Sequence, residues 1–322
     1  EVSFEAEPAR LAVRTDLSDE KVQRYLDAID AGAALGVDTL LRQRRCLTAD
    51  GQPTHAGILL FGRDPQAFVP GSEVIVVRYA GTEQSDTYLR EDIRDTLPEQ
   101  ILRAEAFVVN NMRVGAKLTG LAREERTEYP REAVREALVN AVAHRDYSIR
   151  GQETRVFMFA DRIEITSPGR LPGPVTVDNL EDERFSRNEA IVQVLSDLGY
   201  IERLGYGIDR MRRLMADAGL PPPVFRETAN GFQVVLVGHG ERLSPVERSP
   251  VRLGQLTQGG LNERQAHALD VAAHNGRVTN RDLQEFAPDV SAETIRRDLA
   301  DLVDKNLLLK IGEKRATYYI LK

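Results

Sequence analysis

A carboxylate, a primary amide and an imidazole recur at four-residue steps in the run Glu136-Ala-Leu-Val-Asn140-Ala-Val-Ala-His144. In a helix, at about 100° per residue, such steps drift by only about 40°, so Glu136, Asn140 and His144 share one stripe while Leu138, Val139 and Val142 point elsewhere. Together these groups suit phosphate chemistry. The amide oxygen of Asn140 can ligate Mg²⁺, the Glu136 carboxylate can orient or deprotonate an attacking water, and His144 can stand near phosphate. The plainer account of the same spacing is a polar, solvated helix face. Further along, Gly205-Tyr206-Gly207 directly precedes a helical stretch beginning at Ile208. Backbone N–H groups at such a helix start can approach phosphate with no Cβ in the way. The loop Ser167-Pro168-Gly169-Arg-Leu-Pro-Gly173 follows a strand, where a base-binding turn with contacts from Ser167 and Gly169 belongs; the alternative is an ordinary strand-to-helix turn.

These groups need elements to hold them. The chain of 322 residues allows roughly two domains, or three if one is small. With 42% apolar residues and no apolar run near the ~18 residues of a membrane span, it reads as a globular chain with no membrane segment. The first thirty residues lack the cationic start and apolar stretch of a secretory signal, which gives a cytoplasmic reading, and a start at Glu1 suggests a fragment of a longer protein. The lone Cys46 excludes an intramolecular disulfide and reads as a small packed side chain.

The pattern divides the chain into an N-terminal α/β linking region over 1–125, an α/β domain over 126–238 that holds the stripe, a linker over 239–260 and a small module over 261–322. In the first region, 17–41 is mostly helical, 57–62 and 74–79 are strand-like apolar runs, and 99–111 is helical. In the second, Pro130 opens a helix over 131–144, and strands at 153–159 and 162–166 precede the glycine-rich loop. Helices near 188–197 and 208–218 and a strand at 232–237 complete it. The fold class is α+β and multidomain.

The module over 261–322 carries helix, short strand, helix, turn, helix and two strands, the order of a winged helix-turn-helix. Ser291 can cap a helix that places Arg296 and Arg297 in its first two turns, where a recognition helix meets bases and phosphates. The tip of the final hairpin carries Lys314 and Arg315, suited to backbone contact. The net charge of −7 gives no global pull toward DNA, so any contact must be local. The module itself holds ten basic and ten acidic residues, which leaves a protein-contacting winged helix as the alternative.

The segments 53–62, 129–147, 161–169, Ser186-Arg187-Asn188 and 199–208 together resemble the GHKL ATPase superfamily. More closely, they resemble bacterial regulators whose GHKL-like region is often labelled an ATP-dependent DNA helicase C-terminal region and which commonly carry an upstream Schlafen-type AlbA-like domain. The phrase Val290-Ser-Ala-Glu-Thr-Ile-Arg-Arg-Asp-Leu is similar to the recognition helix of DeoR-type repressors. The resemblance implies an α/β sandwich with ATP and Mg²⁺ between its helices, Glu136 as catalytic glutamate, Asn140 as the magnesium asparagine, and Gly205 and Gly207 in a second glycine box. Where the superfamily places an adenine-reading aspartate, this chain has Ser167, which offers no carboxylate. No Gly-x-x-x-x-Gly-Lys-Ser/Thr loop occurs, so a P-loop helicase motor is not expected. The leading expectation is a nucleotide-responsive DNA-binding transcription regulator that acts as a homodimer through its N-terminal block. The alternatives are a Mg-dependent ATPase in a DNA-associated complex and a scaffold with a degenerate pocket.

Overall fold

The computed structural model describes residues 3–29, 36–119, 122–180, 182–183, 185–201, 207–240, 261–275, 277–305, 307–311 and 317–321. Two compact units result: Glu1–Arg113 with Arg126–Leu243, and Val114–Glu125 with Ser244–Lys322. Most of the segment read as a linker, 241–260, lies outside the described residues.

The first unit opens with α1 (Asp19–Ala28), whose cap Ser18 accepts from the Lys21 N–H, followed by α2 (Val37–Gln43). The run at 57–62 is a helix, α3 (His55–Phe61), and not the expected strand. Residues Ala56 to Phe61 are all buried, and a short apolar run buried on every side has no periodicity to separate helix from strand. The cap decides it: the Thr54 hydroxyl accepts from the Gly57 N–H at 3.1 Å. Gly57 also packs so closely that a Cβ there would lie 2.1 Å from the Cys46 carbonyl oxygen. Cys46 is fully buried beside it.

After the short α4 (Pro65–Phe68) come β1 (Val74–Tyr79), β2 (Tyr88–Ile93) and α5 (Leu97–Asn111). Pro130 precedes α6 (Arg131–Ala143), then β5 (Thr154–Met158) and β6 (Arg162–Pro168) follow. The unit closes with α7 (Glu189–Asp197), α8 (Gly207–Asp217), β7 (Val224–Glu227) and β8 (Gly231–Val237). One six-stranded sheet orders these strands β2-β1-β5-β6-β8-β7. Only β1 and β5 pair in parallel, with Val74 opposite Thr154. Strands from before and after residue 126 therefore share one sheet and one core.

Alternation sorts the sheet residues by face. Val74, Val76, Val156, Ile163, Ile165, Val234 and Leu236 join the core beneath the helices, while Val77, Tyr79 and Phe159 form a small cluster on the other face. Helix α6 packs against α5, α7, α8 and β6. Its alanines 133, 137, 141 and 143 are all buried and short enough to let those neighbours approach.

In the second unit β3 (Val114–Thr119) and β4 (Ala122–Thr127) form a two-stranded sheet. The C-terminal part runs α9 (Glu263–Asn275), a bridge between Val278 and Tyr319, α10 (Asn280–Phe286), α11 (Ala292–Asp304), β9 (Leu308–Ile311) and β10 (Tyr318–Leu321). That is the element order read from the sequence for 261–322. Thr279 and Asp282 form a reciprocal capping box on α10, and the Ser291 hydroxyl accepts from the Thr294 N–H on α11. Leu269, Leu283, Ile295, Leu299, Leu302 and Tyr319 make the core.

Candidate functional site

A cavity of about 620 Å³ opens in the first unit beside α6, α7, α8 and the strands β6 to β8. Glu136, Asn140, His144, Ser167, Gly169 and Gly207 all line it. The stripe on α6 and the loop after β6, thirty residues apart in sequence, thus face one space. Gly205 lies outside the described residues.

Two of these groups are already oriented. Asn140 donates its amide N–H to the Glu136 carboxylate at 3.2 Å, which leaves its amide oxygen as an acceptor. Gly207 opens α8 directly against Glu136, and a Cβ at that position would come within 1.9 Å of the Glu136 Oε1. Only glycine lets the helix start sit on the carboxylate. Among the described residues no group of three His, Cys, Asp or Glu side chains could hold a metal. Mg²⁺, however, needs only one or two protein oxygens when phosphates and waters complete its shell, and the Asn140 amide oxygen fits that need.

Ser167 is committed elsewhere. Its hydroxyl donates to the Ala141 carbonyl at 2.6 Å, tying β6 to α6 and leaving only lone pairs for a ligand. Gly169 has φ +102°, and a Cβ there would meet Asp146 Cβ at 2.5 Å. Asp146 in turn pairs with Arg187 at 2.7 Å, and Arg187 also donates to the Arg170 carbonyl, so the loop is clamped from two sides.

His144 sits at the C-terminal cap of α6. Burial, with a smaller contribution from the nearby Arg187 charge, pushes its pKa down to about 4. At neutral pH it presents an uncharged imidazole to the cavity. Immediately after it, Arg145 is buried and donates to the Gln152 carbonyl at 2.6 Å, and the Tyr147 hydroxyl donates to the Val142 carbonyl at 2.9 Å. Those two side chains serve the fold.

Several residues shape the cavity through contacts that no local pattern specifies, Asn188 among them although its segment figures in the family resemblance. Asn188 donates to the carbonyls of Ala143 at 2.9 Å and Arg145 at 2.7 Å, closing the end of α6. Buried Glu5 accepts from the N–H groups of Ala190 and Ile191 at 2.9 and 3.1 Å and caps α7, a wall of the cavity, from 185 residues away. The cap suits the helix dipole, although burial raises the carboxyl's pKa. Apolar walls come from Ile165, Leu171, Phe185, Met211, Phe225 and Phe232, with the last two rings stacked. Periodicity marks such residues as core and says nothing of a cavity.

In the second unit Arg296 and Arg297 lie on the solvent face of α11, with side chains 63% and 81% exposed. Lys314 and Arg315 fall outside the described residues. Asp298, one position further along α11, is buried and accepts from Arg264 at 2.6 Å and from Asn262 at 2.8 Å, anchoring the helix to the start of α9.

Residues 151–236 match the family described as "Putative ATP-dependent DNA helicase recG C-terminal". An ATPase-like domain family is therefore present in the chain; the matched segment carries β5 to β8, α7 and α8, while α6 lies just before it. Among solved structures the chain is similar to the DIP2311 protein from Corynebacterium diphtheriae, with 20% identity and a TM-score of 0.57 over 100% of this chain and 70% of that one. At that identity the likeness concerns the fold. No curated protein sequence matches the chain. Among the described residues, no helix is long and apolar enough to cross a membrane.

Proposed function

We propose that this protein is a nucleotide-responsive, DNA-binding regulator of transcription, in which a GHKL-like cavity binds a magnesium nucleotide and a winged helix-turn-helix reads DNA. The observation that carries the nucleotide half is the convergence of Glu136, Asn140, Gly169 and Gly207 on one cavity whose sheet walls belong to an ATPase-like family. ATP with Mg²⁺ is the first ligand to test. In this reading Asn140 supplies an oxygen to the metal, Gly207 and its helix start face phosphate, and Glu136 stands where an attacking water would be held. The apolar walls suit a purine ring, and Ser167 offers it an acceptor in place of a carboxylate.

The DNA half rests on the exposed Arg296 and Arg297 on a helix capped at Ser291, and on Lys314 and Arg315 from the sequence alone. One such module makes few phosphate contacts on a chain of net charge −7, so useful affinity calls for a homodimer placing two modules on one duplex. A cytoplasmic location follows from that role. Calorimetric titration with ATP, ADP and GTP in Mg²⁺ tests the first half. Asn140→Ala should abolish binding of the magnesium nucleotide, and an unchanged titration curve for that variant would remove the site assignment.

A further inference from the structure

The solvent stripe of α11 contains an acid between its arginines and the cap. Ile295, Asp298 and Leu299 face the core, which leaves Glu293, Arg296, Arg297 and Ala300 outward. Glu293 divides its carboxylate between the two cations, with Oε2 at 3.3 Å from Arg296 Nη1 and Oε1 at 3.9 Å from Arg297 Nε. Its side chain is itself 63% exposed. Exposed pairs of this kind add little stability. An acid in the first turn does suit the helix dipole, which would account for Glu293 on folding grounds alone.

The pairing has a different consequence where DNA is concerned. The inference rests on the proposal that this face meets DNA. Phosphate is present on every duplex, so a carboxylate beside the two guanidiniums weakens binding to all sequences alike. A carboxylate gains a partner only where the exocyclic amino group of a cytosine or an adenine is presented in the major groove, while the arginines gain bidentate contacts only on guanine. Repulsion common to all sites and attraction confined to some is how discrimination arises.

We propose that Glu293 is a specificity-determining residue of α11: its carboxylate holds Arg296 and Arg297 back from the phosphates of arbitrary duplex DNA and is compensated only on a site that offers it a base amino group, that of cytosine first. The test uses the full chain and two probes, a mixed-sequence 24-base-pair duplex and a duplex recovered from a random pool by the native protein. Glu293→Gln removes one negative charge within a few ångströms of phosphate, which should tighten binding to the mixed-sequence duplex by about three- to tenfold at low salt, with the gain shrinking as salt rises. Binding to the recovered duplex should not improve, so the ratio between the two probes falls. Glu293→Asp keeps the charge and should keep native-like weakness on the mixed-sequence duplex. An unchanged ratio for Glu293→Gln, with native helix content, would overturn the inference while leaving DNA binding intact. If instead Arg296→Ala/Arg297→Ala binds both probes as the native chain does, α11 is not the DNA face, and both the DNA proposal and this inference fall.

Discussion

Replacing His144 by glutamine should flatten the acid sensitivity of the first unit. The imidazole is partly buried at the cavity wall, and desolvation, assisted by the Arg187 charge, lowers its pKa from an ordinary 6.5 to about 4. The folded form therefore binds fewer protons than the unfolded chain between these values. A histidine shifted in this direction contributes stability fully above pH 6.5, and that contribution is lost as pH falls from there toward 4. At pH 5 the ratio of the two titration factors is about 30, which corresponds to a loss of about 2 kcal/mol relative to pH 8. That is an upper value, because the cavity admits water. Urea unfolding followed by circular dichroism at pH 8 and pH 5, for the native chain and His144→Gln, isolates the contribution, since every other titrating group cancels in the difference. The chain has only five histidines, so imidazole NMR titration assigns the low-titrating ring directly by its absence from the variant. An anion bound beside the ring would raise its pKa, so the same titration with Mg–ATP present also reports on the site. Equal loss of stability in the two proteins, or a His144 resonance titrating near 6.5, would refute the reasoning.

Two further substitutions separate support from chemistry. Asn188→Ala leaves the Ala143 and Arg145 carbonyls without their shared donor and should cost about 1–3 kcal/mol in thermal unfolding; an unchanged melting temperature would show that these bonds contribute nothing. Gly207→Ala places a methyl group against the Glu136 carboxylate, the movable end of a side chain, so it should shift stability by less than about 1 kcal/mol, within the range of most mild substitutions. Magnesium-nucleotide affinity measured by calorimetry should nevertheless fall by at least about tenfold, since Glu136 must leave its place beside Asn140.

The legible parts of this chain are those whose signal is local. Four-residue steps put Glu136, Asn140 and His144 on one stripe whatever packs around them, and the caps at Ser18, Ser291 and the Thr279–Asp282 box lie next to the helices they start. The α3 segment was illegible because complete burial erases the period that separates helix from strand, and the deciding contacts, Thr54 on Gly57 and Gly57 on Cys46, depend on how the chain folds back. The parallel pairing of β1 with β5 was hidden for a related reason: a parallel neighbour is reached by a long crossover, here carrying α5 and α6, and no turn residue records it. The same distinction runs through the candidate site. Groups that face a ligand keep the side-chain chemistry the ligand demands and so can be read one residue at a time. Groups that hold the cavity in shape are chosen by distant neighbours: Glu5 caps α7 from the far end of the chain, and although the sequence marks Asn188 and Gly169, it does not show that the first closes the end of α6 and the second packs on Asp146. Ser167 belongs partly to each class, since the cavity sees its lone pairs while its proton binds α6 to the sheet. Its sequence neighbourhood suggests a reader of a base, but the hydrogen bond to Ala141 decides what it can read, and that bond exists only once β6 lies beside α6.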